Sequence, residues 1–566
     1  MNETISCGSR LMQILKAYGV DTVFGMPGVH TLEAYRGMDA AGIRHIGVRH
    51  EQGAGFMADG YARMSGKPGV CILISGPGVT NAATPIGQAY SDSVPMLVIT
   101  SVAANKDLGM GRGTLHEITD QSAVTRPLTA FSETATSPNQ VREYIARAFA
   151  LFESGRPRPV HLSIPLDVFK APDERPASRR TTARRRAPDA EQVEAAAAIL
   201  NTAKRPVILA GGGAVSAAAE VRALAEKIGA AMVGTTAAMG ILPDDHPLAL
   251  EVTIDRGATQ AFVRDADAVL LVGTELAEPD IWLDGPLPMN GKLIRIDIDP
   301  ATLVRDYDVD VAMEADAKLA VAAIAEQVSR ATGFKESNAI AELRATERNA
   351  LTPLEKKHVR VLDSLRNAIP DDGVVYTDMT QLAYTGYAFY RSALPRTWHF
   401  PAGFGTLGYA LPAAIGGKIA SAETPVAVIV GDGGFQFTLQ ELGTAVENKL
   451  PLAIILWNND SLAQIRDGMI VREIPTIGVN QHNPDFVKLA EAYGGHGIRC
   501  SDPEQLDDAI REMIDTPKPV IFDCLVAKEE NCFPMIPSGK AHNEMILPDF
   551  EGDTGEIIDA KGKQLV

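Results

Sequence analysis

Short apolar runs, each the length of a strand, alternate along this chain with amphipathic stretches of helical period. In the first third, GVCILIS (69–75) leads into GPGVTNAATPIGQAY and then PMLVITS (95–101). In the middle, RPVILAGGGAV (205–215) runs into AAAEVRALAEKIGA, and in the last third PVAVIV (425–430) and LAIILW (452–457) bracket TLQELGTAVENK (438–449). A β-branched run, a glycine turn, an amphipathic helix and a further apolar run make the grammar of βαβ units on a parallel sheet. The pattern predicts an α/β protein of three doubly wound parallel-sheet domains, spanning 1–172, 191–332 and 355–536.

The intervals differ in composition. APDERPASRRTTARRRAPDA (171–190) is rich in proline and charge and has no apolar period, which predicts an exposed linker over 173–190. A polar, helix-forming stretch (329–357) separates the second and third domains, and the charged remainder, 537–566, reads as a tail. At 566 residues the chain is too long for one core, in keeping with three domains. No apolar run approaches the roughly 20 residues of a membrane span, so no membrane partner is expected. The start, MNETISCGSRLMQILKAYGV, lacks the basic and then apolar order of an export signal, and the reading is cytoplasmic. A formal charge of -18 disfavours nucleic acid as a partner, and the basic run RRTTARRR (179–186) falls inside the linker. Cys7, Cys71, Cys500, Cys524 and Cys532 are scattered without a CxxC pair and read as reduced thiols.

The chemistry concentrates in GDGGFQFTLQELGTAVENKLPLAIILWNND (431–460). If its two apolar runs are neighbouring parallel strands, Asp432 and Asn459 project from the carboxyl edge of one sheet about 5 Å apart, where open α/β sheets bind ligands. A carboxylate, an amide oxygen and a nearby carbonyl are hard donors suited to Mg²⁺ or Ca²⁺, and Mg²⁺ completes its shell with water and phosphate oxygens. Gly433 and Gly434 would let phosphates approach the main chain. Either half alone reads equally well as a glycine turn or an Asx turn. The GGGA turn after 210 lacks the dinucleotide spacing and reads as helix–sheet packing.

With both halves present, and 24 residues (434–457) between them, the segment resembles the signature of thiamine diphosphate enzymes. VRHEQGAGFMADGYAR (48–63) is similar to the matching segment of acetolactate synthases and related 2-oxo acid decarboxylases. The resemblance implies pyrimidine-binding, central and diphosphate-binding domains. It gives Asp432, Asn459 and the Ser461 carbonyl to Mg²⁺, and Gly431, Gly433, Gly434, Thr380 and Gln381 to the cofactor. It makes Glu51 the catalytic glutamate, which acts by holding the aminopyrimidine in its imino tautomer. In GFGTLGYALPAAIG (403–416) it makes Leu407 the wedge under the cofactor and the Gly405 carbonyl an acceptor for the 4′-amino group. It also implies a homodimer, and beyond that a dimer of dimers, since the glutamate and the diphosphate site meet across a subunit interface. FAD is not expected, because EVTIDRG (251–257) and GTELAEPD (273–280) stand where flavin-binding acetolactate synthases carry other motifs.

Within the family, DTVFGMPGVHTLEAYRGM (21–38), LHE (115–117), TDMTQLAYTG (377–386) and WNNDSLAQIRDGM (457–469) resemble the 2-ketoarginine decarboxylases. That implies non-oxidative loss of CO₂ from 5-guanidino-2-oxopentanoate to give 4-guanidinobutanal, in arginine catabolism. A carboligase of the acetolactate synthase or sulfoacetaldehyde acetyltransferase kind is the alternative. His116 has the pKa range to donate a proton or orient a carboxylate, and His30 is a weaker candidate for the same work. A guanidinium asks for a carboxylate partner; Asp467 is the first choice, with Glu278 and Asp280 behind it.

Overall fold

The computed structural model describes residues 5–331, 333–335, 337–500, 505–526, 546–548 and 557–559. Seventeen of its strands form three wholly parallel sheets. The first holds β1 (Thr22–Gly25), β2 (Arg44–Gly47), β3 (Gly69–Leu73), β4 (Met96–Val102), β5 (Phe131–Thr134) and β6 (Val160–Pro165), in the order β2-β1-β3-β4-β6-β5. The second holds β7 (Pro206–Ala210), β8 (Ala231–Gly234), β9 (Ala268–Val272), β10 (Lys292–Asp297) and β11 (Val311–Glu314), in the order β11-β10-β9-β7-β8. The third holds β12 (Val374–Thr377), β13 (Trp398–His399), β14 (Val426–Gly431), β15 (Ala453–Asn458), β16 (His496–Cys500) and β17 (Val520–Leu525). Its order, β13-β12-β14-β15-β17-β16, repeats that of the first sheet strand for strand.

Continuous apolar strands are what a sheet covered on both faces requires, because alternate side chains enter opposite cores. On β3, Val70 and Ile72 enter one core while Cys71 and Leu73 enter another. On β14, Val428 and Val430 join that same second core, and Ala427 and Ile429 face a third. One core is therefore common to the first and third domains, whereas the central domain buries its own.

The shared core is closed by two helices, Glu51–Ser65 and Ala410–Ala420. Their backbones cross at glycines: a Cβ on Gly60 would lie 1.9 Å from the Ala413 oxygen, and one on Gly416 1.9 Å from the Met57 oxygen. Polar groups at the crossing are paired. Asp59 binds Arg63 at 2.6 Å and accepts from the Tyr409 hydroxyl at 2.8 Å, and Arg63 also reaches Asp92 at 2.7 Å.

The basic run of the linker is taken up by neighbouring acids of both domains: Arg179 pairs with Glu153, Arg180 with Glu143, Arg185 with Asp316 and Arg186 with Glu314. The GGGA turn packs as expected, since a Cβ on Gly211 would meet the Gly273 oxygen at 2.4 Å. One element differs from the sequence pattern. The helix expected over 438–449 begins at Asp432, runs to Thr438, tightens over Leu439–Glu441 and resumes over Leu442–Glu447. Glycines disfavour helix in isolation, but here Leu462 and Asp378 fill the space their missing side chains leave. Most of the tail, Cys532 and the Cys500 side chain lie outside the described residues; within the tail, Ile546–Pro548 pairs antiparallel with Ile557–Asp559. Among the described residues no helix is long and apolar enough to cross a membrane.

Gly60→Ala is expected to cost about 3 kcal/mol or more, because backbone rather than a flexible side chain stands in the way. Chemical unfolding should show it against Gly47→Ala, where the added methyl meets only His45 at 3.8 Å.

Candidate active site

β14 and β15 are parallel neighbours with Gly431 opposite Trp457, so the GDG turn and the Asn458–Asn459 pair leave the same edge of the sheet together. Asp432 is buried at the first position of its helix and accepts from Asn483 Nδ2 at 2.6 Å. The same Nδ2 lies 2.9 Å from Asn458 Oδ1 and 2.9 Å from Asp460 Oδ1. One amide nitrogen thus serves three oxygens, two of them carboxylate, yet it has only two hydrogens to give. Burial holds the Asp432 carboxyl above its ordinary range, and the Asp460 charge adds to the effect. Two carboxylates and an amide oxygen that converge on one amide nitrogen fit a hard oxygen-bound cation. Among the described residues no three His, Cys, Asp or Glu side chains form a metal site; the oxygens here come from amides as well as carboxylates.

Asn459 is buried beside this cluster, its Oδ1 accepting from Ser461 N at 3.2 Å and its Nδ2 facing Gln381 Oε1 at 3.4 Å. Ser461 is buried and its hydroxyl donates to the Val479 carbonyl at 3.1 Å. Thr380 begins the helix Gln381–Phe389, and its Oγ1 stands 3.0 Å from where a Cβ on Gly431 would be. The Cβ direction of Gly433 is filled by Leu462 at 2.8 Å, and that of Gly434 by Asp378 Oδ2 at 2.7 Å, with Leu407 at 3.6 Å. Packing demands these two glycines. Gly405 adopts a φ of 63°, open to glycine at little cost.

Sequence reasoning passed over Asp378 and Asn483. Asp378 is fully buried at the end of β12; its Oδ2 accepts from Gly408 N at 2.7 Å and its Oδ1 from Met379 N at 2.9 Å. It ties the loop of Gly405 and Leu407 to the sheet edge, and burial pushes its carboxyl up to about 7. Neither residue belongs to a motif with a fixed spacing. Asn483 lies 51 residues beyond Asp432, and only the fold makes them neighbours.

The first domain gathers its own group at the carboxyl edge of its sheet. Glu51 starts the helix after β2, with its Oε2 accepting from Asn81 Nδ2 at 2.9 Å. His30 Nδ1 lies 3.0 Å from Ser75 Oγ, and the His30 and His116 rings meet edge to face at 5.2 Å. Burial and then the neighbouring His116 lower the His30 pKa. His116 has a φ of 62°, and its buried Nδ1 lacks a hydrogen-bond partner. Among the described residues no hydrogen bond joins Glu51, His30 or His116 to Asp432 or Asn459. Large apolar side chains are exposed beside both groups: Val29 and Leu115 by the histidines, Phe404 and Phe437 by the glycine loops.

A cleft of about 1430 Å³ runs between the central and third domains, with Met379 and Gly405 at one part of its wall and Asp255, Glu278 and Tyr387 at another. Asp467 is not part of that wall, although Ile465, Gly468 and Met469 are; its carboxylate lies against the Arg466 guanidinium at 2.8 Å. Asp280 accepts from Ala277 N at 3.1 Å and is pushed up to about 7 by burial. Asp255 Oδ2 accepts from the Tyr387 hydroxyl at 2.6 Å, and its Oδ1 has no partner.

Asp378 gives a pH signature. In the fold it keeps its proton to about 7, where the unfolded chain loses it near 4. Its stabilising contribution is therefore complete below pH 4 and is lost as the pH rises through 7. Between those values Asp378→Asn should flatten the decline in unfolding free energy of the cofactor-free protein by about 1.4 kcal/mol per pH unit. Denaturant titrations at pH 5, 6 and 7 measure it.

Residues 5–124, 193–324 and 378–524 match, in turn, the N-terminal TPP binding, central and C-terminal TPP binding domains of the thiamine pyrophosphate enzymes. The chain is 49% identical over 516 residues to a probable 2-ketoarginine decarboxylase of Pseudomonas aeruginosa, covering 90% of this chain and 92% of that protein. It is 33% identical to the acetolactate synthase large subunit of Corynebacterium glutamicum, covering 98% and 93% of the two chains. It is 32% identical to the isozyme 1 large subunit of Escherichia coli acetolactate synthase, covering 95% and 96%. With the oxygen-lined edge of the third sheet and the glutamate at the edge of the first, these matches show that the chain belongs to the thiamine pyrophosphate enzyme family.

Proposed function

We propose that this protein is a cytoplasmic thiamine diphosphate- and Mg²⁺-dependent 2-oxo acid decarboxylase acting on 5-guanidino-2-oxopentanoate, with 4-guanidinobutanal and CO₂ as products. The observation that carries the reading is the oxygen cluster that Asp432, Asn458 and Asp460 form around Asn483, set at the same edge of its sheet as Asn459. The relative that is 49% identical supports the substrate. Asp432, Asn459 and the Ser461 carbonyl would hold the metal beside the diphosphate. Bound there, thiamine diphosphate supplies the electron sink for the pair of electrons left when the carboxylate departs. Glu51, held at its tip by Asn81, would keep a proton at the pyrimidine N1′, while the Gly405 carbonyl would accept from the 4′-amino group and Leu407 would support the ring. His30, fixed by Ser75, orients the substrate carboxylate, and His116 delivers the proton that completes the aldehyde.

Among the described residues no hydrogen bond joins the two groups that this chemistry needs within one chain, and both are bordered by exposed apolar side chains. A second copy that covers those faces would bring Glu51 of one chain to Asp432 of the other, so the working unit is a homodimer. Asp255, which lines the cleft where Asp467 does not, is better placed than Asp467 to meet the guanidinium; Glu278, exposed on the same wall, assists.

Calorimetry should find that Asp432→Ala loses Mg²⁺ and thiamine diphosphate together; unchanged affinity would remove the metal assignment. The wild type should prefer 5-guanidino-2-oxopentanoate to pyruvate by more than about tenfold in kcat/KM, since a site built for a cation leaves its acid unpaired when pyruvate enters. Asp255→Asn should remove most of that preference and leave turnover of pyruvate nearly unchanged. Equal wild-type rates on the two acids would sink the substrate assignment, and acetolactate made from pyruvate alone would favour a carboligase.

A further inference from the structure

The peptide that leads into Glu51 is held by a buried acid from another domain. Arg49 and His50 precede the helix Glu51–Ser65, so the helix's own ladder leaves their N–H groups without acceptors. Both are taken by Glu441: its Oε1 lies 3.0 Å from Arg49 N and 3.0 Å from His50 N, and its Oε2 lies 3.2 Å from Arg49 N. Glu441 is completely buried, and its remaining bond is from the Thr444 hydroxyl at 2.7 Å. The helix is shaped to admit it, since a Cβ on Gly53 would stand 2.3 Å from Glu441 Oε1. A carboxylate placed at the positive end of a helix, accepting two charge-assisted bonds, is a strong anchor. Leaving two part-buried N–H groups unpaired carries a cost as well.

We propose that Glu441 is a positioning residue for Glu51: it fixes the main chain on which the glutamate stands, while Asn81 fixes the carboxylate at its tip. The inference rests on the reading of Glu51 given above and adds a residue from the third domain to its support. A side chain that must meet one ring nitrogen tolerates little displacement, and a shift of its backbone by a fraction of an ångström is amplified at the carboxylate. Glu441→Gln keeps an oxygen able to accept from both N–H groups and turns its amide toward Thr444, so the anchor survives without the charge. Glu441→Ala removes it, and the space beside Gly53 does not refill from the helix.

Two readouts test this in the full chain. In cofactor-free protein, amide hydrogen exchange should show the peptide spanning residues 48–54 losing protection in Glu441→Ala and keeping most of it in Glu441→Gln. With thiamine diphosphate and Mg²⁺ bound, C2 proton exchange should slow by about tenfold or more in Glu441→Ala at unchanged cofactor affinity, and recover to within about threefold in Glu441→Gln. Should Glu441→Ala not fold, Glu441→Asp, which draws the carboxylate back by one carbon–carbon bond, reads the same two quantities. Wild-type protection of 48–54 would overturn the anchor. Lost protection with wild-type C2 exchange would reduce Glu441 to a purely structural part. Wild-type C2 exchange in Glu51→Gln would overturn the reading of Glu51, and the catalytic half of this inference with it; a slow Glu51→Gln beside a fast Glu441→Ala overturns the positioning role alone.

Discussion

The crossing of the helices Glu51–Ser65 and Ala410–Ala420 is the contact on which the rest of the molecule depends. Two domains with the same strand order would ordinarily be separate bodies joined by a flexible chain. Here Gly60 and Gly416 each give up a side chain so that carbonyl and backbone meet directly, and the apolar residues around them become one core. Interiors at crystal-like density transmit displacement. The first and third sheets therefore hold a fixed relation to each other.

That relation matters because each sheet presents its chemistry at its carboxyl edge, where strand ends diverge and side chains can converge on a ligand. At the third sheet the arrangement is electrostatic: oxygens of Asp432, Asn458 and Asp460 converge on the one amide nitrogen of Asn483. At the first it is directional, with Glu51, His30 and His116 held by Asn81, Ser75 and each other. Glu441 and Asp378 stand behind these groups. Both are buried acids whose hydrogen bonds come largely from main-chain N–H groups, and each fixes a loop that carries a site residue. Burial raises the proton affinity of both, and the main-chain hydrogen bonds only partly offset it.

The central domain contributes differently. It buries its own core and meets the third domain across a wide cleft, where Tyr387 of the third domain binds Asp255 of the second at 2.6 Å. The cleft thus lies between the central and third domains, while the shared core lies between the first and third.

What the sequence determined by itself follows from local periodicity and local chemistry. Apolar runs of strand length between amphipathic stretches are enough to announce three parallel α/β layers, since a strand covered on both faces has no alternative composition. The GDG turn and the paired asparagines announced a site because 24 residues are enough for one helix and one strand, and so return the chain to the same edge. Periodicity misplaced the helix start at Asp432, because three glycines look like a turn until Asp378 and Leu462 pack against them. Only the tertiary structure decided the partners that lie far apart in sequence: Asn483 for Asp432, Asn81 for Glu51 and Glu441 for the Arg49–His50 peptide. No spacing encodes these pairings. The last of them is set by how closely the first and third domains approach, and that was settled by glycines at the domain crossing whose purpose is invisible until both helices are in place.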